Sequence, residues 1–201
     1  MTRIPLIVAL SGASGSSFAL RLLHHLGQLR VPIDLMVSRS AETVLRQEVS
    51  AETEWMQGGL PALDAFGLAD CDARGLASDD FMTSAASGSA RSLGMVIVPC
   101  SMGTVGRLAA GVSQSLIERA GDVCIKEGRK LVIVPRETPL SVIHLENLLK
   151  LSRAGVICLP ASPGYYHRPK SLADLADGLT ARILDQLGIE HSVGQRWREQ
   201  R

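Results

Sequence analysis

Leu6-Ile7-Val8-Ala9-Leu10-Ser11-Gly12-Ala13-Ser14-Gly15-Ser16-Ser17 decides the fold. An apolar run breaks off into small and hydroxyl residues. Ser16 then opens a helical pattern in which Phe18, Leu22, Leu26 and Leu29 share one face. A buried strand, a glycine-bearing turn and a helix make half of a βαβ unit. Four further apolar runs repeat the strand signal: Ile33 to Val37, Met95 to Val98, Leu131 to Val134 and Val156 to Leu159, with the first running from Ile4 to Leu10. Such nearly continuous, β-branched runs mark strands covered on both faces. Helical patterns lie between them, over Ser16 to Leu29, Ser40 to Gln47, Met102 to Ala110, Leu116 to Glu127, Val142 to Arg153 and Ser171 to Leu187. Ser171 followed by Asp174 reads as a helix start. The alternation predicts a single-domain α/β protein, a Rossmann/flavodoxin-like doubly wound parallel sheet with helices on both faces. Residues 54–92 are the least regular stretch, and residues 189–201 read as a polar C-terminal tail containing Trp197.

Composition narrows the function. The chain has 201 residues, 21 Lys plus Arg and 20 Asp plus Glu, a net charge of +1. That balance argues against broad electrostatic binding to nucleic acid. No apolar run reaches the roughly 18 residues of a membrane helix, and the N-terminus lacks a signal-peptide pattern. Cys71, Cys100, Cys124 and Cys158 are too far apart for a CxxC or zinc knuckle, and read as reduced thiols of a cytoplasmic protein. Only seven residues are aromatic (3 Phe, 2 Trp, 2 Tyr), so the core is aliphatic and an aromatic beside a polar cluster is a candidate for function.

In an open parallel sheet, ligands bind beyond the carboxyl ends of the strands. All five strand ends here are polar or rich in Gly and Pro: Ser11 to Ser17, Ser38-Arg39-Ser40, Pro99 to Thr104, Pro135 to Pro139, and Pro160 to Pro169. The first loop is not G-x-G-x-x-G, and strand two ends in Ser38 rather than an acidic ribose ligand. It is neither a phosphate-binding loop with a following Lys nor a nucleophile elbow. What remains is a loop for a mononucleotide such as FMN, whose phosphate suits free N–H groups at a helix start. Arg39 keeps open the 2′-phosphate of NADP. Arg119, Lys126, Arg129, Arg136, Arg168 and Arg182 all fall in the second half of the chain. Solvated helix faces account for most such cations, but Arg136 follows an apolar strand directly.

Taken in order, these loops resemble the flavin prenyltransferases of the UbiX/Pad type. The matching pieces are Ser11-Gly12-Ala13-Ser14-Gly15, Ser38, Ser84-Ala85-Ala86-Ser87-Gly88-Ser89, Pro99-Cys100-Ser101, Leu116-Ile117-Glu118-Arg119-Ala120, Pro135-Arg136-Glu137-Thr138-Pro139 and Tyr166-His167-Arg168-Pro169. The resemblance implies an enzyme joining a dimethylallyl group, from dimethylallyl phosphate or the diphosphate, to N5 and then C6 of reduced FMN. The product, prenylated FMN, serves a UbiD-type decarboxylase in ubiquinone biosynthesis or aromatic-acid breakdown. The resemblance further implies no metal and a homo-oligomer, a dodecamer. On it, residues 1–188 form the FMN-binding domain and the tail folds over the site. FMN would lie against Gly12, Ala13, Ser14, Ser38, Ser101, Met102, Gly103, Thr104 and Arg136. Tyr166, Arg182, Lys126 and Arg119 would gather around the donor's phosphate. Ser14, Glu48 and Glu137 match catalytic positions: Glu137 an acid/base group, Glu48 an aid to attack at N5 or to cyclisation. Tyr166 and Trp197 would shield an allyl cation. Without the resemblance, Glu48 reads as an exposed helix residue and Ser14 as a helix cap. Gly128 stands where relatives often carry Arg, and Met102-Gly103 is one variant of its loop.

Two rivals share the fold. A phosphopantothenoylcysteine or peptidyl-cysteine decarboxylase would need an early catalytic His and an Asn/Met-rich substrate motif, and His24 and His25 lie inside the first helix. A non-catalytic FMN-binding protein would not need Glu137, Tyr166 and Arg182 together.

Overall fold

The computed structural model describes residues 3–194. Eight strands are present: β1 (Leu6–Leu10), β2 (Ile33–Val37), β3 (Met56–Gln57), β4 (Leu60–Pro61), β5 (Ala73–Leu76), β6 (Gly94–Cys100), β7 (Leu131–Pro135) and β8 (Ile157–Cys158). The helices are α1 (Ser16–Gln28), α2 (Arg39–Glu48), α3 (Met102–Ala110), α4 (Leu116–Lys126), α5 (Val142–Arg153) and α6 (Leu172–Leu187), with one 3-10 turn at Ser84–Ala86. Six strands form one parallel sheet in the order β5-β2-β1-β6-β7-β8, and β3 and β4 form a small hairpin. The expected α/β doubly wound architecture is therefore present.

Side-chain alternation along β1 splits the core in two. Leu6, Val8 and Leu10 join Leu22, Leu26, Leu45, Ile183 and Leu184, so α1, α2 and α6 cover one face. Ile7 and Ala9 join Val105, Leu108, Ile117, Cys124 and Leu151, so α3, α4 and α5 cover the other. Trp55 and Phe66 pack against each other, ring centroids 5.2 Å apart, and extend the first face beneath the hairpin. On that face Asp177 of α6 accepts from Arg21 of α1 at 2.5 and 2.8 Å and pairs with His25 at 2.7 Å. Burial raises the pKa of Asp177, but the Arg21 and His25 contacts outweigh it and hold the carboxyl below its ordinary value.

The structure departs from the sequence reading in several places. β5 was not anticipated, because in Ala-Arg-Gly-Leu only Leu76 is buried and the strand pairs on one side only. β1 begins at Leu6, not Ile4; β6 reaches Cys100, with a register shift against β7 between Ile97 and Cys100; and β8 is only two residues long. Residues 189–194 continue past α6 with Ile189 and Val193 against the core, while Trp197 lies outside the described residues. No helix among the described residues is long and apolar enough to cross a membrane.

Asp34, near the start of β2, is 1% exposed and sits between Arg3 at 2.6 Å and Arg74 at 3.0 Å. These contacts tie the chain start and β5 to the sheet. Asp34→Ala should lower unfolding free energy by about 1–3 kcal/mol, the scale of losing hydrogen bonds to a buried charged carboxylate. Denaturant titration checks this; an unchanged midpoint would mean the network contributes nothing.

Candidate active site

The strand order reverses between β1 and β6, and that is where an open sheet forms a crevice. Ser11, 3% exposed, stitches the two strand ends: its hydroxyl donates to Pro99 O at 3.1 Å and accepts from the Ser101 amide at 2.8 Å. Its own amide donates to Pro99 O at 3.2 Å. Gly12 is required beside it, since a Cβ there would overlap Ser40 Oγ. The β1–α1 and β2–α2 loops are thus in direct contact.

The start of α1 differs from expectation. Its N-cap is Gly15, in left-handed backbone at φ 113°, with no side-chain cap of its own. Glu48, the last residue of α2, supplies the cap: its carboxylate accepts from the Gly15 amide at 3.0 Å and the Ser16 amide at 2.9 Å. Burial raises the pKa of Glu48, yet hydrogen bonds from the Ser14 hydroxyl and the Ser16 and Gly15 amides outweigh it, so the group lies below the ordinary glutamate value. The anion at this helix end is the protein's own carboxylate, not a phosphate. Ser14 is the residue that hydrogen-bonds Glu48, not the helix cap.

Ser11 also borders the space left for a ligand. A cavity of about 580 Å³ is lined by Ser11, Ser38, Arg39, Ser40, Thr43, Thr104, Arg107, Ser115 and Glu118, among others, a size typical of small-molecule sites. Three helices begin at it. Ser38 caps α2, its hydroxyl accepting from the Ala41 amide at 3.1 Å. Ser101 caps α3, accepting from the Thr104 amide at 3.3 Å. Ser115 and Glu118 form a capping box on α4. Glu118 is 3% exposed and paired with Arg107 at 2.7 Å, and Arg107 also donates to Thr104 Oγ1 at 3.2 Å. Helix N-termini, hydroxyls, Arg39 and Arg107 make the cavity favourable to an anionic, polyhydroxylated ligand. No group of three His, Cys, Asp or Glu among the described residues is placed to hold a metal.

Of the residues expected around FMN, Ser38 and Thr104 line this cavity. Gly12, Ala13, Ser14 and Ser101 belong to the loops around it, and Gly103 to the first turn of α3. The Met102 side chain is 6% exposed and packs into the core under α3. Arg136 is exposed where β6 and β7 end, its amide donating to Cys100 O at 3.3 Å. Glu137 is exposed beside it, accepting from the Thr138 amide at 3.0 Å. Arg39, which the sequence marked only for a 2′-phosphate, and Arg107, which it did not single out, are the cations at the cavity. Their signal was position: Arg39 opens the helix after β2, and Arg107 lies three residues beyond Thr104, on the same helix face.

The four expected phosphate ligands do not gather within one chain. Arg119 and Lys126 lie on α4, on one face of the sheet. Arg119 donates to Ala86 O at 3.1 Å and pairs with Asp122, and Lys126 pairs with Glu127 beside Gly88. Arg182 lies on α6, on the opposite face, paired with Asp185 at 2.9 Å. Tyr166, 85% exposed, stands in the loop after β8, which is tied to the end of β7 through the Ala161 amide and Pro135 O. Gly128 takes left-handed backbone (φ 63°) just past α4, which is why a glycine serves there. Burial pushes the Cys100 and Cys124 thiols up, Cys124 to about 11, so both remain neutral.

Because the Glu48 pKa is depressed in the folded chain, its stabilisation is present above the unfolded glutamate pKa and lost as pH falls through the folded value. Glu48→Gln should therefore cost about 1 kcal/mol at neutral pH, the size of an N-cap contribution. Thermal melts should show the two proteins converging as pH drops below the carboxylate range; a pH-independent gap would contradict the role.

Comparison with known proteins agrees with this geometry. The Flavoprotein family model matches residues 1–184. A flavin prenyltransferase UbiX from Halalkalibacterium halodurans is 44% identical over 194 residues, covering 96% of this chain and 93% of the relative. The crystal structure of AnUbiX (PadA1) in complex with FMN and dimethylallyl pyrophosphate superposes with a TM-score of 0.86 at 35% identity, covering both chains fully. A dodecameric FMN-dependent UbiX-like decarboxylase from Escherichia coli O157:H7 gives 0.83 at 40% identity, covering 98% of this chain and 100% of that one. Extended cover at such identities places this chain in the Flavoprotein family, among the UbiX-type flavin prenyltransferases.

Proposed function

We propose that the chain binds reduced FMN at the β1/β6 crevice and joins to it a dimethylallyl group from dimethylallyl phosphate, giving prenylated FMN for a UbiD-type decarboxylase. The observation carrying this reading is the cavity bounded by Ser11, Ser38, Thr104 and Arg107, with Ser14, Glu48, Arg136 and Glu137 on the adjoining loops. Its residues fit FMN: hydroxyls suit the ribityl chain, and cations with helix N-termini suit the phosphate. When bound, reduced FMN would supply the nucleophilic N5 and C6: the bond to N5 would form as the allylic C–O bond breaks and phosphate leaves with the bonding pair, and the bond to C6 would follow protonation of the remaining alkene, with release of the C6 proton.

The chain's own groups divide the remaining work. Glu48 is ionised and already accepts two backbone N–H groups, so it serves as a fixed negative charge that orients Ser14, rather than as a strong base. Glu137 is exposed, accepts from the Thr138 amide within its own loop, and carries the acid/base step. Arg119, Lys126, Arg182 and Tyr166 offset the charge developing on the departing phosphate.

Arg182 and the Arg119–Lys126 pair occupy opposite faces of the sheet, so one phosphate meets both only if different copies contribute them. This supports the expected homo-oligomer, as does an uncovered apolar face: Leu140, Val142, Ile143, Leu145 and Leu149 on and before α5 are all exposed, Val142 and Ile143 by 68%. Such a contact would exclude water from an allyl cation. Four free cysteines suit a cytoplasmic setting.

Three outcomes test the reading. Anaerobic incubation with reduced FMN and dimethylallyl phosphate should give, by mass spectrometry, a flavin heavier by one C5 prenyl unit; no adduct with either the mono- or the diphosphate would overturn it. Glu137→Gln should retain FMN while slowing product formation by about 10²-fold or more, the scale of a lost general acid/base; unimpaired turnover would remove Glu137 from the mechanism. Ile143→Asp combined with Leu145→Asp should sediment as a smaller species than the unaltered protein, and an unchanged assembly would exclude α5 from the contact.

A further inference from the structure

Tyr166 and Arg182 come from different elements, but the residue after Tyr166 packs on α6, the helix that carries Arg182. Gly178 and Arg182 are four residues apart on that helix, which puts them on one face. His167, the neighbour of Tyr166, seats its ring on Gly178: a Cβ at that glycine would lie 3.3 Å from His167 Cε1 and 3.8 Å from Nε2. That is tighter than ordinary contact, so any larger residue would displace the ring. The His167 Nε2 is buried and has no hydrogen-bond partner among the described residues. A ring nitrogen buried without a partner is costly, and an aliphatic residue would avoid the cost. The next residue, Arg168, holds left-handed backbone at φ 52°, its amide donating to Tyr165 O at 3.0 Å. Non-glycine residues hold this conformation only where their surroundings impose it. An anchored ring and a reversed backbone step thus directly follow the exposed Tyr166.

We propose that His167 is a positioning residue: seated on Gly178, it sets the register of Tyr166 relative to Arg182, one helical turn away, and thereby the affinity for the phosphate of the allyl donor. The proposal rests on the reading that Tyr166 and Arg182 hold that phosphate. It assigns the ring a role of shape, filling the slot that the missing Cβ leaves, and assigns Gly178 the role of keeping the slot open. Without that seat the loop remains attached through Ala161 and Pro135 but loses its register.

The test measures steady-state prenyl transfer for the unaltered protein and for Gly178→Ala, His167→Ala and His167→Phe, together with FMN affinity and Tm. Ala favours a helix over Gly, so a donor defect in Gly178→Ala is not expected to come with a lowered Tm. Gly178→Ala and His167→Ala should raise KM for dimethylallyl phosphate at least fivefold, leaving kcat within threefold and FMN affinity within twofold. His167→Phe, which keeps a planar ring, should stay within threefold of the unaltered KM. Should either alanine variant fail to fold, the other decides together with His167→Phe. An unchanged donor KM in the folded alanine variants overturns the proposal while leaving the prenyl-transfer reading intact. Parallel losses of FMN and donor affinity also overturn it, as general disruption. A KM for His167→Phe as poor as that of His167→Ala overturns the shape role. No product from the unaltered protein refutes the underlying reading, and the proposal with it.

Discussion

Everything at the site hangs from the divergence of β1 and β6. Two parallel strands whose connections leave in opposite directions would open a gap at their carboxyl ends. The buried Ser11 hydroxyl closes the base of that gap by joining Pro99 O to the Ser101 amide. With the two ends fixed, the loops after β1, β2 and β6 have defined starting points, and three helix N-termini converge on one cavity. Gly12 makes the arrangement possible, because no Cβ fits between the first two loops.

The charges near the cavity are set locally. A net charge of +1 conceals a division of labour among helix ends. The N-terminus of α1 is satisfied by Glu48, which commits that carboxylate to the charged state and leaves the α2, α3 and α4 ends at the cavity. Glu118, buried, is matched by Arg107 and the Ser115 cap, so the cavity wall carries no uncompensated negative charge. The sheet itself then separates the remaining cations. Because α4 and α6 cover opposite faces, a phosphate site built from both is a property of an assembly rather than of one chain.

Much of this was legible in the sequence, for reasons tied to particular residues. Runs such as Leu131 to Val134 are apolar without alternation because both faces are covered, and that pattern survives without any structure. Ala73–Leu76 was not legible: at the sheet edge only Leu76 needs to be apolar, so the stretch has no strand signature. The loop motifs located Ser38, Thr104 and Arg136 at strand ends. They could not reveal that Glu48 caps α1, because the contact joins residues more than thirty apart in the chain. Nor could they separate Arg119 and Lys126 from Arg182, since motif order says nothing about which face of the sheet a helix covers. Met102 matched a family position through its backbone neighbourhood, while its side chain belongs to the core.

The central claim is that one crevice, at the reversal between β1 and β6, receives the flavin. A crystal structure of the protein grown with FMN tests it most directly. The account expects the ribityl phosphate in the cavity walled by Ser11, Ser38 and Thr104, with Glu48 still seated on the Gly15 and Ser16 amides. Flavin bound elsewhere, or a flavin phosphate displacing Glu48 from the start of α1, would contradict it.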